Sequence, residues 1–349
     1  MEETQDLEIF TRQPSKHELS PNGNLLQKLK SNIERALKRE PKGPKISVNF
    51  FFSPHRTEKD IEKLRPLLKE TDIYFIEGAG WESWAIDYYQ KLSRGEITAE
   101  ELLRETGWKP GHLFYSMRLA ELSILYGSNK VIGVVDVPAS HSSVKRHEEI
   151  PQIEIKEIFD KTLETVKDFI QVLAHVERMR EEYMILHIRP KIKEIIDNSP
   201  ILKKKRKVEV LLHLGAAHTI IHHEVKKQGF EIQREFASRP YIFSYRDEAL
   251  RKYFFGKEIS QDLLAHILLE QQLHISEIGA SLEEISPNTD QYFLALRRIV
   301  SKFKTEEIEK IFTKVAREQS FPDGFQEEFT QKGLKLPGTE EELRRFLSR

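Results

Sequence analysis

The chain has 349 residues, 32% of them charged and 39% hydrophobic, an ordinary balance for a globular protein that can bury a sizeable core. Its 55 Lys and Arg against 56 Asp and Glu leave a net charge of -1, which argues against a global attraction to nucleic acid or anionic membrane. With no cysteine, disulfides and thiolate metal sites are excluded, so any bound metal must be held by His, Asp or Glu.

Residues 1–25 read as a flexible N-terminal tail, because Pro14, Pro21 and Gly23 interrupt any periodicity. The acidic start, Met1 to Asp6, lacks the basic and apolar regions of a secretory signal, and no apolar run approaches the roughly 18 residues of a spanning helix. A cytoplasmic protein without a membrane span is expected. Leu25 to Lys38 fits an amphipathic helix stopped by Pro41, Gly43 and Pro44. Ile46 to Phe52 is a β-rich run. Thr57 then suits an N-cap, with Ile61, Leu64, Leu67 and Leu68 on one helical face. Asp72 to Ile76 gives a second strand, so residues 46–76 form a strand, helix, strand unit that implies parallel pairing.

Thr98 and Glu101 make a capping-box pattern for a helix ending at Gly107, and Leu113 to Leu125 predicts another, closed by Gly127. Lys130 to Val137 is a third strand, apolar except at Asp136, as expected for burial on both faces. Long helical periodicity runs from Ile153 to Ile196. Val208 to Leu214 is the fourth strand and Glu224 to Gln228 a short helix ended by Gly229, with edge strands at Phe230 to Phe236 and Arg239 to Ser244. The basic run Lys203 to Lys207 links a helix to a strand and reads as a solvated turn. Beyond residue 246 only helices are predicted: Ser260 to Ile275, Asp290 to Lys302, Thr305 to Arg317, and a last one capped by Thr339 and Glu342. The expected architecture is α/β: a mostly parallel central sheet flanked by helices over residues 26–245, then an all-helical C-terminal region over 246–349.

In open α/β sheets ligands sit outside the carboxyl ends of the strands, so polar residues ending apolar runs are the candidates for chemistry. His218 follows Gly215-Ala216-Ala217, His55 follows the first strand, and Glu77 ends the second before Gly78-Ala79-Gly80. A neutral histidine can take a proton or bind metal, while Glu77 can bind metal, orient a histidine or act as general base. Asp136 would be a further acid at the same edge. His222, four residues after His218, has the spacing of half a zinc site, although the absence of Glu at 219 rules out HExxH. Arg178 and Arg180 point to different sides of the long helix, so only one can reach the strand ends. Gly78-Ala79-Gly80 does not extend to a dinucleotide fingerprint.

The order of these pieces resembles the superfamily of TraB/GumN-like, ChaN-like, erythromycin esterase-like and Tiki proteins over about residues 45–235. The resemblance rests on the strand ending in His55, Glu77 in Asp-Ile-Tyr-Phe-Ile-Glu, Arg180 with Met184, and Val-Glu-Val-Leu-Leu-His-Leu-Gly-Ala-Ala-His ending in His218. It implies a hydrolase-like site with His55 and His218 as paired histidines, Glu77 as acidic partner and Arg180 as electrostatic stabiliser, with a divalent metal in some branches. Two positions depart from the pattern: Phe52 replaces the glycine of the first GxxH, and Glu181 follows Arg180 where asparagine or aspartate is usual.

The expectation is a hydrolase of ester, amide or peptide bonds acting on a small-molecule or peptide substrate, with water activated by His and Glu or by a metal held by His55, Glu77 and His218. Asp136 and His222 stand as additional metal ligands. Two alternatives are a binding or scaffold protein that keeps the fold without catalysis, and a metal or haem binder without turnover. The C-terminal helices suit a lid, a homo-oligomer interface or a partner surface.

Overall fold

The computed structural model describes residues 43–53, 58–81, 83–109, 115–215, 218–237, 244–286, 289–317 and 320–348. The predicted helix at 25–38, the Thr57 cap, His55 and most of the predicted strand at 239–244 lie outside them. Strands β1 (Lys45–Ser53), β2 (Ile73–Ile76), β3 (Val131–Val134), β4 (Lys207–Gly215) and β5 (Glu231–Phe236) form one sheet, ordered β3-β2-β4-β1-β5. Every pairing is parallel. The fold class is therefore α/β, as its strand and helix alternation predicts.

β1 and β2 are parallel but not adjacent, because β4 inserts between them and pairs with both. Val210, Leu211, Leu212 and Leu214 of β4 are fully enclosed, so this strand can occupy only a central position with a helical layer on each side. On one face, helices Glu58–Glu70, Ser83–Arg94, Ala99–Glu105 and Tyr115–Leu125 pack Leu64, Leu68, Tyr89, Leu92 and Leu102 against Phe51, Tyr74 and Leu211. On the other, Met184, Ile185 and Ile188 of helix Phe159–Asn198, with Ile221 and Val225 of helix Thr219–Lys226, pack against Phe50, Phe52, Phe75 and Leu212. Each such side chain removed from water stabilises the fold by about 1.5–3 kcal/mol before chain entropy is counted.

The order of connections determines where a ligand can enter. From β2 the chain passes outward to β3 through helices on one face; from β4 it passes the opposite way, beyond β1 to β5, through a helix on the other. The neighbouring ends of β2 and β4 are thus a topological switch point, where the covering helices diverge and a crevice opens.

Helix Phe159–Asn198 has 40 residues, about 60 Å at 1.5 Å per residue. Its first part buries Phe159, Leu163, Val166 and Ile170 in the C-terminal helical core, beside Leu268, Ile299 and Phe325. Its later part lies under the sheet. Between them, Leu173 and Ala174 meet Ile220, Leu250 and Phe254, joining the two cores. Arg180 and Glu181 sit on the stretch of helix that passes from one core to the other. Among the described residues no helix is long and apolar enough to cross a membrane.

Candidate active site

Glu77 follows β2 directly, and β2 pairs with β4 so that Ile76 lies opposite His213. One residue past the strand end, the Glu77 side chain turns to the face covered by the long helix. There its Oε1 accepts from Arg180 Nη2 at 2.6 Å and lies 3.4 Å from His218 Nε2. Its Oε2 accepts from the backbone N–H of Gly215 in a short contact. A Cβ on Gly215 would come within 3.1 Å of the same oxygen. The space that glycine leaves is filled by the Glu77 carboxylate rather than left for a ligand.

Arg180 also binds Asp136 in two-pronged fashion through one guanidinium edge, Nε to Oδ1 at 2.8 Å and Nη2 to Oδ2 at 2.6 Å, and reaches Glu177 at 3.5 Å. Asp136 in turn accepts from Gly78 N at 3.1 Å and from its neighbour Val137 N at 2.8 Å. Two-pronged binding fixes the guanidinium plane more firmly than a single contact does. The carboxylates around Arg180 hold its positive charge against the opposing effect of burial, and its pKa lies above the ordinary arginine value. Arg178 pairs instead with Glu182 at 2.9 Å, so of the two arginines only Arg180 reaches the strand ends.

His218 occupies the N-cap position of helix Thr219–Lys226 but makes no side-chain cap. Its Nδ1 lies 3.2 Å from Glu181 Oε1 and its Nε2 faces Glu77, so a carboxylate flanks each ring nitrogen. Burial opposes the charge on the ring, but the Glu77 charge and the hydrogen bonds to Glu181 and Glu77 outweigh it, and the pKa is pushed up to about 10. Burial also raises the Glu181 carboxyl, with His218 acting in the opposite direction. The His218 ring therefore keeps its proton at neutral pH, with a carboxyl group beside each nitrogen.

A pKa raised from 6.5 to about 10 means that the charged ring contributes its full stability below about pH 6.5 and loses it as pH rises through 10. Urea unfolding at pH 6, 8 and 10 should therefore show wild-type stability falling across that range. His218→Gln should have a flatter profile, and parallel profiles would contradict the assignment.

Of the expected site residues, Glu77, Arg180, His218 and Asp136 come together in one cluster, while His55 lies outside the described residues. His222 is set against the core, its ring edge-on to Phe50 at 5.4 Å, and burial lowers its pKa. Glu181 joins the cluster although it read only as a departure from a motif. Its carboxylate reaches across from the long helix to His218. As metal donors the residues are already engaged: Arg180 occupies the place beside Glu77 Oε1, and both His218 nitrogens face protein carboxylates. Among the described residues no group of three or more His, Asp or Glu is arranged to hold a metal ion.

A cavity of about 310 Å³ opens at the same strand ends. Glu77, Gly78 and Arg180 line one side, with Arg118, Glu121, His213 and Trp81 also in its wall. Arg118 bridges Glu121 and the Tyr89 hydroxyl, each at 2.6 Å, so a second charged pair faces the cavity from the opposite helical layer. A larger cavity of about 470 Å³ lies among the C-terminal helices, near Tyr245, His266 and Lys304, away from the strand ends. Comparison of the chain with protein-family models, with curated proteins and with solved structures finds no match.

Proposed function

We propose that the chain is a hydrolase of carboxylic esters, amides or peptides, acting on a small substrate held in the cavity at the ends of β2 and β4. The observation that carries this reading is the His218 ring bracketed by Glu77 and Glu181 beside a half-buried, carboxylate-fixed Arg180. Clustered groups with displaced pKa values in a cleft are a signature of acid–base chemistry. In this reading Arg180 stabilises the oxyanion that develops on the carbonyl, and the fixed orientation avoids reorganisation during the reaction. Glu77, which lines the cavity, takes the proton of the attacking water, and protonated His218, which touches Glu77 but not the cavity, supplies the leaving-group proton through that carboxylate.

The same contacts also favour a second reading. Both Glu77 oxygens are already engaged, by Arg180, His218 and the Gly215 amide, as they would be in a binding or scaffold protein whose charges only hold the strand ends together. Turnover separates the two. Purified full-length protein should hydrolyse at least one member of a panel of chromogenic esters, anilides and short peptides, assayed with EDTA and with added zinc or manganese. Folded protein without turnover under any of these conditions would favour the scaffold reading. The metal arms report whether a divalent ion assists.

A further inference from the structure

A second polar chain ends at the same sheet edge, on the face opposite Arg180. Ser53 is the last residue of β1, level with Gly215 of β4, and His213 lies opposite Phe51. Phe51, Tyr74 and Leu211 face the layer of helix Tyr115–Leu125, and alternation along the strands places Ser53 and His213 on that face too. Ser53 Oγ is 2.7 Å from His213 Nε2, and His213 Nδ1 is 2.8 Å from the Tyr74 hydroxyl. That hydroxyl donates to Glu121 Oε1 at 3.4 Å, and the same oxygen lies 3.5 Å from His213 Nδ1.

Either tautomer of His213 fits these contacts, and one of them gives the proton order that a serine nucleophile needs. Tyr74 donates to Glu121, which frees its oxygen to accept from His213 Nδ1–H. Nε2 is then the acceptor for the Ser53 hydroxyl. Burial, with Glu121 adding to it, raises the Tyr74 pKa well above the ordinary phenol value, so Tyr74 remains a donor. A hydroxyl within reach of an imidazole that a third group orients is the arrangement by which enzymes activate serine. His213 and Glu121 both line the cavity, which connects the relay to the proposed substrate site.

We propose that Ser53 is the nucleophile of this cavity, with His213 as its base and Tyr74 and Glu121 orienting the ring. The inference rests on the acyl-hydrolase reading; it replaces direct attack by water with a serine ester and makes His213, in place of His218, the donor to the leaving group. The Ser53 proton passes to His213 Nε2 as the Oγ–carbon bond forms. The bond to the leaving oxygen or nitrogen then breaks, and the leaving group takes that proton. Water attacks the ester, gives a proton to His213 Nε2, and Ser53 Oγ departs and regains it. Ser53 is enclosed in the structure and reaches the cavity only through His213, so covalent labelling should be slow.

The test uses full-length protein, a fluorophosphonate probe and peptide mass mapping. A probe adduct on Ser53 is expected, absent in Ser53→Ala and at least tenfold slower in His213→Gln. Because the chain has no cysteine, Ser53→Cys supplies a single thiol, whose iodoacetamide reaction should also slow at least tenfold when combined with His213→Gln. This second variant keeps the test valid if Ser53→Ala does not fold. An adduct on Ser53 in protein that turns over nothing in the panel supports the nucleophile and counts against hydrolysis. Turnover with Ser53 unlabelled, or Ser53→Ala with wild-type kcat, overturns the proposal and leaves the hydrolase reading in place.

Discussion

Replacement of His218 by glutamine is expected to lower kcat by about 10²–10⁴-fold, the usual contribution of a positioned proton donor. Glutamine retains hydrogen-bonding capacity but carries neither the ring's charge nor a transferable proton. Glu77 and Glu181 would then face one another across a neutral side chain, and the loss should fall on kcat more than on KM. Steady-state kinetics on whichever panel substrate is cleaved checks this. A change in KM alone would mean that His218 acts only in binding.

Arg180→Met is expected to cost about 3–5 kcal/mol of folding stability, the typical result of removing one partner from a buried ionic group. The guanidinium joins Glu77 at the end of β2 to Asp136 beyond β3, and it does so from the long helix. Methionine fills similar space but leaves two carboxylates with their main cationic partner gone, so they must either protonate or repel. Arg180→Lys keeps the charge but lacks the planar pair of N–H donors that binds Asp136, and should fall between wild type and Arg180→Met. Urea denaturation gives the comparison. A loss below about 1 kcal/mol for Arg180→Met would show that the cluster behaves as an exposed surface pair.

Much of the sheet is legible in the chain because its strands are short apolar runs ended by polar residues. β1, β2, β4 and β5 lie within a residue or two of their expected positions, while β3 is shorter, ending at Val134. The insertion of β4 between β1 and β2 is not legible, since it joins residues 162 and 137 positions apart and no local pattern encodes those pairings. Glu77, Asp136 and His218 could be picked out because each follows an apolar strand run, whereas Arg180, inside the long helix, stood out only through the resemblance. Glu181 was hidden because a buried acid on a charged helix resembles any solvated one. Ser53 and His213 were missed for different reasons: His213 sits inside a strand run, where one polar residue reads as ordinary alternation, and Ser53 at the end of β1 was passed over for His55 two residues on. The available clue was that Val208 to Leu214 is otherwise apolar at successive positions after Glu209, so His213 needed a buried partner.

A double-mutant cycle on kcat/KM, built from wild type, His218→Gln, Arg180→Met and the combined variant, tests most directly whether the charged cluster at the ends of β2 and β4 performs catalysis. If the two residues act as a unit on one transition state, the combined variant should be no more than about tenfold worse than the poorer single variant. Losses that multiply in full would contradict a shared role, and single variants that retain wild-type turnover while folded would contradict a catalytic one.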